Sequence, residues 1–181
     1  MIDILKRLSN NMLVAMYLNR SDYDKFVVGN IISITEEWLL IKHLSPRGEF
    51  DGYSIRSVDD VYRVEIGGAY LERIERLSKH NEINSTFPIP NLDGDILINL
   101  VNYAMYNECV SVISLDEDAT DIVGLITNAS NGMIRIKELT EFGHINGETM
   151  FPIKEILKIC VNDIECMDLN LLYKENKNEK S

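Results

Sequence analysis

The stretch that opens with Val28-Gly29-Asn30-Ile31 decides the fold, because it recurs as Val123-Gly124-Leu125-Ile126. Residue i of the first copy matches residue i+95 of the second, and the alignment runs without a gap through Lys79 and Lys174. The identical positions include Ile41-Lys42 with Ile136-Lys137, Leu44 with Leu139, Gly48 with Gly143, Gly52 with Gly147, and Leu77 with Leu172. Self-similarity at a fixed spacing is typical of a repeated structural unit. The sequence therefore predicts an internal duplication.

The length and composition suit a globular protein of two small units. The chain has 181 residues, of which 45% are apolar and 26% are charged. A unit of roughly 80 residues is small for an independent core, so we expect the two units to pack on one another. We predict a first unit at 1–80, a linker at 81–94 that contains Pro88 and Pro90, a second unit at 95–174, and a disordered polar tail at 175–181.

The net charge of −11 bears on the kind of partner. Affinity for nucleic acid comes largely from lysine and arginine side chains that release counterions from phosphates. The average field of this chain repels nucleic acid and anionic lipid, although a local basic patch remains compatible with it. The composition therefore favours protein partners over RNA and predicts no membrane partner.

The chain shows no apolar run of the roughly 18 residues that a membrane span needs, and its start lacks the basic-then-apolar order of a signal peptide. We therefore expect a cytoplasmic protein. Cys109, Cys160 and Cys166 lack CxxC spacing and have apolar neighbours, which predicts buried free thiols.

Hydrophobic periodicity predicts the same order of elements in both units, namely a helix, five short strands and a second helix. In the first unit the helices are expected over 2–8 and 69–79, and the strands over 13–18, 26–34, 38–44, 53–56 and 62–66. Gly29 lies inside the second strand, where glycine often marks a bulge or a sharp bend. Asn10-Asn11 is expected to end the first helix, and Asp93 or Asp95 can cap the first helix of the second unit.

This pattern resembles the Sm-like small β-barrel. Gly29-Asn30-Ile31 resembles the glycine-x-apolar element of that family's second strand, and Ile55-Arg56-Ser57 resembles its Ile-Arg-Gly element. Trp38 to Leu44, with Asp51-Gly52-Tyr53 and Val61 to Val64, is also similar to short uncharacterised bacterial Sm-like proteins. The resemblance implies a mainly β fold with short helices (α+β), as two tandem Sm-like five-stranded antiparallel barrels, each with an N-terminal and a trailing helix.

Sm-like proteins generally bind single-stranded RNA, through an Asp- or Asn-bearing turn and the arginine of the Ile-Arg-Gly element. The first unit keeps Arg56 but has Glu36-Glu37 at the turn, where carboxylates would repel phosphate. The second unit has Asn131-Gly132 at the turn but Phe151-Pro152 where the arginine belongs. Neither unit therefore carries the complete RNA site that the resemblance implies, and a site composed from both units stays open.

The sequence contains no motif of a common enzyme class, such as a phosphate-binding glycine loop, HExxH, GxSxG or a cysteine–histidine metal spacing. His43, His80 and His144 are not repeated between the units, which favours surface or turn positions. The acidic run Asp116-Glu117-Asp118 is best explained as a solvated hairpin loop. We therefore predict no catalytic residue, no metal site and no cofactor.

The third strand offers the clearest candidate surface. Leu39 and Ile41 occupy its core face, so by the period of two Trp38 and Leu40 should point outward. Alternatively, strand curvature or a neighbouring helix buries them. The predicted interaction surface, which also takes in basic residues of both units, consists of Trp38, Leu40, Lys42, Arg56, Arg135 and Lys137.

The sequence thus favours a non-catalytic protein-interaction protein with an adaptor or regulatory role. Exposed strand edges would allow self-association or an added strand from a partner protein, and the acidic charge could shield a basic partner. The alternative is an RNA-binding Sm-like protein in which Arg56, Lys42 and Lys137 contact phosphate. An enzyme with an unrecognised site is a third hypothesis.

Overall fold

The computed structural model describes residues 1–9, 12–81 and 90–179. Within these residues the chain forms ten β-strands and four α-helices, so it is a mainly β protein with helices. The chain divides into two compact units, Met1–Ile89 and Pro90–Ser181, which we call unit 1 and unit 2.

Unit 1 begins and ends with a helix. Its helices are α1 (Ile2–Leu8) and α2 (Gly68–Asn81), and its strands are β1 (Leu13–Tyr17), β2 (Val27–Ile34), β3 (Trp38–Leu44), β4 (Phe50–Ser57) and β5 (Arg63–Ile66). A 3₁₀ turn at Val58–Asp60 joins β4 to β5. The predicted order of a helix, five strands and a helix is confirmed for this unit.

The five strands of unit 1 form one antiparallel sheet in the order β5-β1-β2-β3-β4. Gly29 lies opposite His43, where a Cβ atom would stand only 2.3 Å from the carbonyl oxygen of Lys42. The register of β2 against β3 shifts between Ile31 and Ser33. The irregularity predicted for β2 thus lies between Ile31 and Ser33 rather than at Gly29, where the structure shows a close approach of β2 to β3.

Helices cover both faces of the unit 1 sheet. On one face α1 contributes Leu5 and Leu8 to a core with Val14, Met16, Ile31, Leu39 and Ile41. On the other face α2 contributes Leu71 and Ile74 to a cluster with Leu13, Ala15 and Val28. Alternate residues of β1 therefore enter different cores, as the period of two along a strand requires.

Unit 2 has its own set of elements with the same order. Its helices are α3 (Ile96–Tyr106) and α4 (Ile164–Asn178), and its strands are β6 (Val110–Ser114), β7 (Ile122–Ser130), β8 (Met133–Leu139), β9 (Ile145–Pro152) and β10 (Lys158–Val161). Asp95 caps α3 by accepting hydrogen bonds from the amides of Leu97 and Ile98. Of the two predicted capping residues, the structure selects Asp95.

The strands of unit 2 follow the order β10-β6-β7-β8-β9. Gly124 lies opposite Glu138, and the register of β7 against β8 shifts between Ile126 and Asn128. From α4, Cys166 enters a core with Val110, Leu125 and Leu139. These positions match the pairing of Gly29 and the register shift in unit 1.

A loop against the trailing helix is a second feature that both units have. Gly48 and Gly143 adopt φ angles of +73° and +74°. A Cβ atom on Gly48 would lie 2.5 Å from the Ser78 nitrogen of α2, and one on Gly143 would lie 2.6 Å from the Tyr173 nitrogen of α4. In each unit an asparagine of the helix donates to a loop carbonyl, from Asn81 to Arg47 at 3.1 Å and from Asn176 to Phe142 at 2.9 Å.

The prediction of two five-stranded barrels is wrong. In unit 1, β5 pairs with β1 and β4 lies at the opposite end of the strand order, and no ladder joins β4 to β5 among the residues described. In unit 2, β9 and β10 likewise lie at opposite ends. The physical reason is that helices already cover sheet faces, so the apolar side chains are buried by layering and the sheets stay open.

The boundaries at the two predicted irregular segments also differ from expectation. Within the predicted tail, residues 175–178 continue α4, which ends at Asn178, and Asn176 donates to the Phe142 carbonyl, whereas residues 180 and 181 lie outside the described residues. Residues 82–89 of the predicted linker lie outside the described residues, as do Asn10 and Asn11, which were expected to end the first helix.

Candidate interaction surface

The six residues predicted to form an interaction surface lie on different faces and in both units. Trp38 and Lys42 are half-buried and share one face of β3 with Leu40. Arg56 lies opposite Leu39 in the β3–β4 ladder and therefore belongs to the other face of the sheet. In unit 1 the structure thus places Arg56 away from Lys42.

Leu40 is not available at the surface of the molecule. It is 0% exposed, and so is Ile55, its cross-strand neighbour on β4. The outward exposure expected for Leu40 from the period of two is therefore wrong, and the buried alternative holds. Trp38, at the start of the same strand, keeps partial exposure.

The matching face of unit 2 is exposed. Arg135 is exposed and Lys137 half-buried on β8, opposite Met150 and Glu148 of β9. Met133, at the start of β8, is 42% exposed and Met150 is 62% exposed. We name these five residues, Met133, Arg135, Lys137, Glu148 and Met150, the β8–β9 face. It combines apolar side chains with charges of both signs.

Strand β9 is also the edge of the unit 2 sheet. It is the last strand in the order and pairs with β8. Ile145, at its start, is 55% exposed, and most residues from Asn146 to Met150 are exposed. An edge strand presents main-chain N–H and C=O groups that can pair with another strand.

An open groove of about 420 Å³ lies on the same face. It is lined by Thr127, Asn128, Arg135, Lys137 and Glu148. The Thr127 hydroxyl donates to the Arg135 carbonyl at 3.3 Å, which ties β7 to β8 beside the bulge. With two cationic side chains and one carboxylate, the groove can hold a polar or anionic group in an otherwise acidic chain.

The sequence analysis found Arg135 and Lys137 but missed Glu148 and Met150. Both residues could have been found by comparing the two aligned stretches of the sequence. Their counterparts at the same alignment positions are Tyr53 and Ile55, and an apolar core face would not replace Tyr53 by an ionised carboxylate. The two unit 1 residues are buried, so the same register position is interior in one unit and exposed in the other.

Among the described residues, a half-buried histidine lies against a buried serine in a pair that could be taken for part of a catalytic site. His43 Nε2 lies 2.6 Å from the Oγ of Ser54, which is 0% exposed. Burial of the ring, with a smaller contribution from the Arg56 charge, lowers the pKa of His43 from 6.5 to about 3. A general base works best with a pKa near the working pH, so His43 is too weak to activate the enclosed serine.

His43 is half-buried on β3 rather than solvated, and its imidazole joins two strands of the sheet. Unit 2 makes an equivalent link, in which the Thr149 hydroxyl bonds to the Glu138 carboxylate. Both pairs bridge the third and fourth strands of their unit. The sequence predicted that His43 lies on a strand, but it did not indicate that Ser54 is its hydrogen-bond partner.

The cysteines match the prediction of free thiols. Cys109 and Cys166 are buried, and Cys160 is partly buried. Burial raises the pKa of both Cys109 and Cys166, which keeps them in the unreactive thiol form. In the acidic loop, Asp121 accepts from Ser114 and pairs with Lys158 at 3.2 Å. The described part of the chain has no group of three or more His, Cys, Asp or Glu side chains that could hold a metal ion.

None of the helices described is both long and apolar enough to cross a membrane. By its fold and surface, the chain is a mainly β protein of two units with an exposed sheet edge. No protein-family model matches the chain, and comparisons with curated proteins and with solved structures found no match.

Proposed function

We propose that this chain is a non-catalytic protein-interaction protein, with an adaptor or regulatory role in the cytoplasm. Its contact region is the β9 edge together with the β8–β9 face. The observation that carries the proposal is an edge strand whose apolar side chains Ile145 and Met150 are 55% and 62% exposed. Free cysteines suit the reducing compartment.

An added strand is the binding mode that this edge favours. Main-chain hydrogen bonds to β9 would supply affinity, and the alternating side chains of the β8–β9 face would supply specificity. Such a strand can come from a partner protein or from a second copy of the chain. The net charge of −11 favours a basic partner, which this protein would shield through charge complementarity.

We also infer that the two units arose by duplication and have since divided their roles. Three features support this inference. The two units have the same strand order, Gly48 and Gly143 contact the trailing helix of their unit, and Asn81 and Asn176 each bond from that helix to the preceding loop. The outward faces of β3 and β8 differ, since Leu40 on β3 is buried and its counterpart Arg135 on β8 is exposed. In this proposal the exposed face of unit 2 is the one available for binding.

A comparative pull-down tests the proposal. Tagged wild-type protein and the double variant Ile145→Lys/Met150→Lys are exposed to lysate of the source cells, each in RNase-treated and untreated halves. Lysine on an edge strand opposes strand addition, so the double variant should lose the stoichiometric protein partner. Leu171→Lys, which changes a residue 58% exposed on α4, is the matched control and should retain that partner. Equal recovery by all three proteins would refute β9 as the contact region.

RNA binding is the second candidate, because Arg135 and Lys137 line one groove with Asn128. The RNA contact that the sequence suggested for Arg56 and Lys42 has less support, since these two residues lie on opposite faces of their sheet. RNA recovered with the wild type, together with partners that disappear after RNase, would favour this candidate. The interaction should then weaken with salt, and Arg135→Ala/Lys137→Ala should reduce the slope of that dependence by about two.

A further inference from the structure

Five aromatic side chains form a continuous cluster in unit 1, separate from the β8–β9 face. We name it the aromatic patch, and it consists of Tyr17, Tyr23, Phe26, Tyr62 and Tyr70. The centroid of the Tyr17 ring lies 5.3 Å from that of Phe26 and 6.1 Å from that of Tyr62. Tyr23 lies 6.3 Å from Tyr62, and Phe26 lies 5.9 Å from Tyr70, with both pairs edge to face.

Four parts of the chain bring these rings together. Tyr17 ends β1, Tyr23 and Phe26 belong to the segment between β1 and β2, Tyr62 precedes β5, and Tyr70 lies in the first turn of α2. The Tyr62 amide donates to the Tyr17 carbonyl at 3.2 Å, which fixes the start of β5 beside the end of β1. The patch is therefore positioned by the sheet.

The patch has an inner part and an exposed part. Tyr17 is 7% exposed, whereas Phe26, Tyr70 and Tyr23 are 37%, 44% and 70% exposed. Exposed aromatic side chains that lie together, unlike single ones, mark interaction sites, and tyrosine is enriched among residues that dominate binding energy.

Cations already lie over two of the rings. The Arg20 guanidinium carbon is 5.3 Å from the centroid of Tyr62, and that of Arg63 is 4.5 Å from the centroid of Tyr17. Both distances are within the range of a cation–π interaction. The most exposed ring, Tyr23, is flanked along the chain by two exposed carboxylates, Asp22 and Asp24.

The patch is not a requirement of the fold, because unit 2 lacks it. The residues at the matching positions are Val112, Asp118, Asp121, Leu157 and Glu165, none of which is aromatic. Unit 2 folds with the same strand order without them. The exposed aromatic side chains of the patch are therefore specific to unit 1.

We propose that the aromatic patch docks an arginine- or lysine-bearing segment of a protein partner. A cation of that segment stacks on the exposed Tyr23 ring while Asp22 or Asp24 neutralises its charge. The exposed carboxylates of Asp22 and Asp24 supply the negative charge beside the ring that such a segment requires. This inference rests on the proposed interaction function and names the chemistry of the partner.

A peptide titration tests the docking site directly. The probe is a capped octapeptide of alternating glycine and arginine, compared with the same peptide carrying glutamate instead. Binding is followed by calorimetry and by the shifts of ¹⁵N-labelled amides. The arginine peptide should bind and shift amides of residues 22–26, 62 and 70, and the glutamate peptide should not bind.

Substitutions separate stacking from general charge attraction. Tyr23→Leu keeps an apolar side chain but removes the ring, and it should weaken the arginine peptide at least threefold, whereas Tyr23→Phe should keep its affinity. Asp22→Asn/Asp24→Asn should weaken it, while Asp116→Asn/Asp118→Asn in unit 2, which removes the same charge, should have a smaller effect.

Two results would overturn the inference. One is a shift pattern spread over the acidic surface, with equal affinity for wild type and Tyr23→Leu, which would indicate unspecific attraction. The other is binding of a ten-nucleotide oligouridine that Tyr23→Leu abolishes, which would make the patch a platform for stacked bases. Neither result bears on β9, so the pull-down with Ile145→Lys/Met150→Lys decides the proposed function separately.

Discussion

His43 gives a quantitative prediction about the stability of unit 1 in acid. His43 bonds to Ser54 in the folded protein and has a pKa of about 3, against 6.5 in an unfolded chain. Below pH 6.5 the unfolded chain therefore binds a proton that the folded chain does not. By linkage, the contribution of His43 to stability is complete above pH 6.5 and is lost as the pH falls toward 3.

The size of the effect follows from the two pKa values. Each pH unit in that interval costs about 1–2 kcal/mol, so the proton taken up by the unfolded chain should lower the free energy of unfolding by roughly 3 kcal/mol between pH 8 and pH 4.5. His43→Gln, which can still reach Ser54, should lack this component. The difference between the two proteins isolates His43 from the carboxylates, which titrate in both.

Urea unfolding followed by tryptophan fluorescence is a suitable assay, since the single tryptophan, Trp38, lies at the start of the strand that carries His43. The stability difference between wild type and His43→Gln should change by roughly 3 kcal/mol between pH 8 and 4.5. His144→Gln removes an exposed histidine and should follow the wild type. Parallel pH curves for wild type and His43→Gln would refute the neutral form of His43 in the folded protein.

The packing of both units yields three more predictions. Gly143→Ala should destabilise the protein more than Gly147→Ala in thermal unfolding. Both residues have a positive φ, which costs an alanine about 1–3 kcal/mol of backbone strain. Only at Gly143 would the added Cβ atom also meet a helix backbone, at 2.6 Å. Leu40→Ala should cost about 2–5 kcal/mol in urea unfolding, and a loss below 1 kcal/mol would contradict its burial. Cys109 and Cys166 should resist a thiol-specific aromatic disulfide reagent in the native protein and react in guanidinium, whereas rapid native labelling of either would show an exposed thiol.

Local patterns predicted much of each unit. The alternation of Leu39 and Ile41 identified β3, because side chains on a strand alternate between its two faces. Gly29 indicated an irregularity in β2, which the structure places two residues further on, between Ile31 and Ser33. The closure of the sheet depends on which edges pair, which residue patterns do not encode. Residues 175–178 are polar, yet they continue α4, where Asn176 bonds to a loop 34 residues away that local composition does not reveal.

The candidate surface was predictable only in part. Arg135 and Lys137 were found because charges at the outward positions of a strand indicate a solvent face. For Leu40 the period of the strand predicted exposure, and the alternative of burial holds because burial depends on tertiary contacts. The bond of His43 to Ser54 likewise depends on the pairing of β3 with β4. The aromatic patch was not predictable from the sequence, because Tyr17 and Tyr62 are distant along the chain and meet only through the β1–β5 pairing.

The most direct test of the proposed function is site-specific photocrosslinking in the source cells. A photoreactive residue is introduced as Met150→p-benzoylphenylalanine on the β9 edge, and as Leu171→p-benzoylphenylalanine on α4, where the exposure is similar at 58% against 62%. The account predicts a discrete protein adduct at position 150 that survives RNase and is absent at position 171. No adduct at position 150, or the same adducts at both positions, would contradict it.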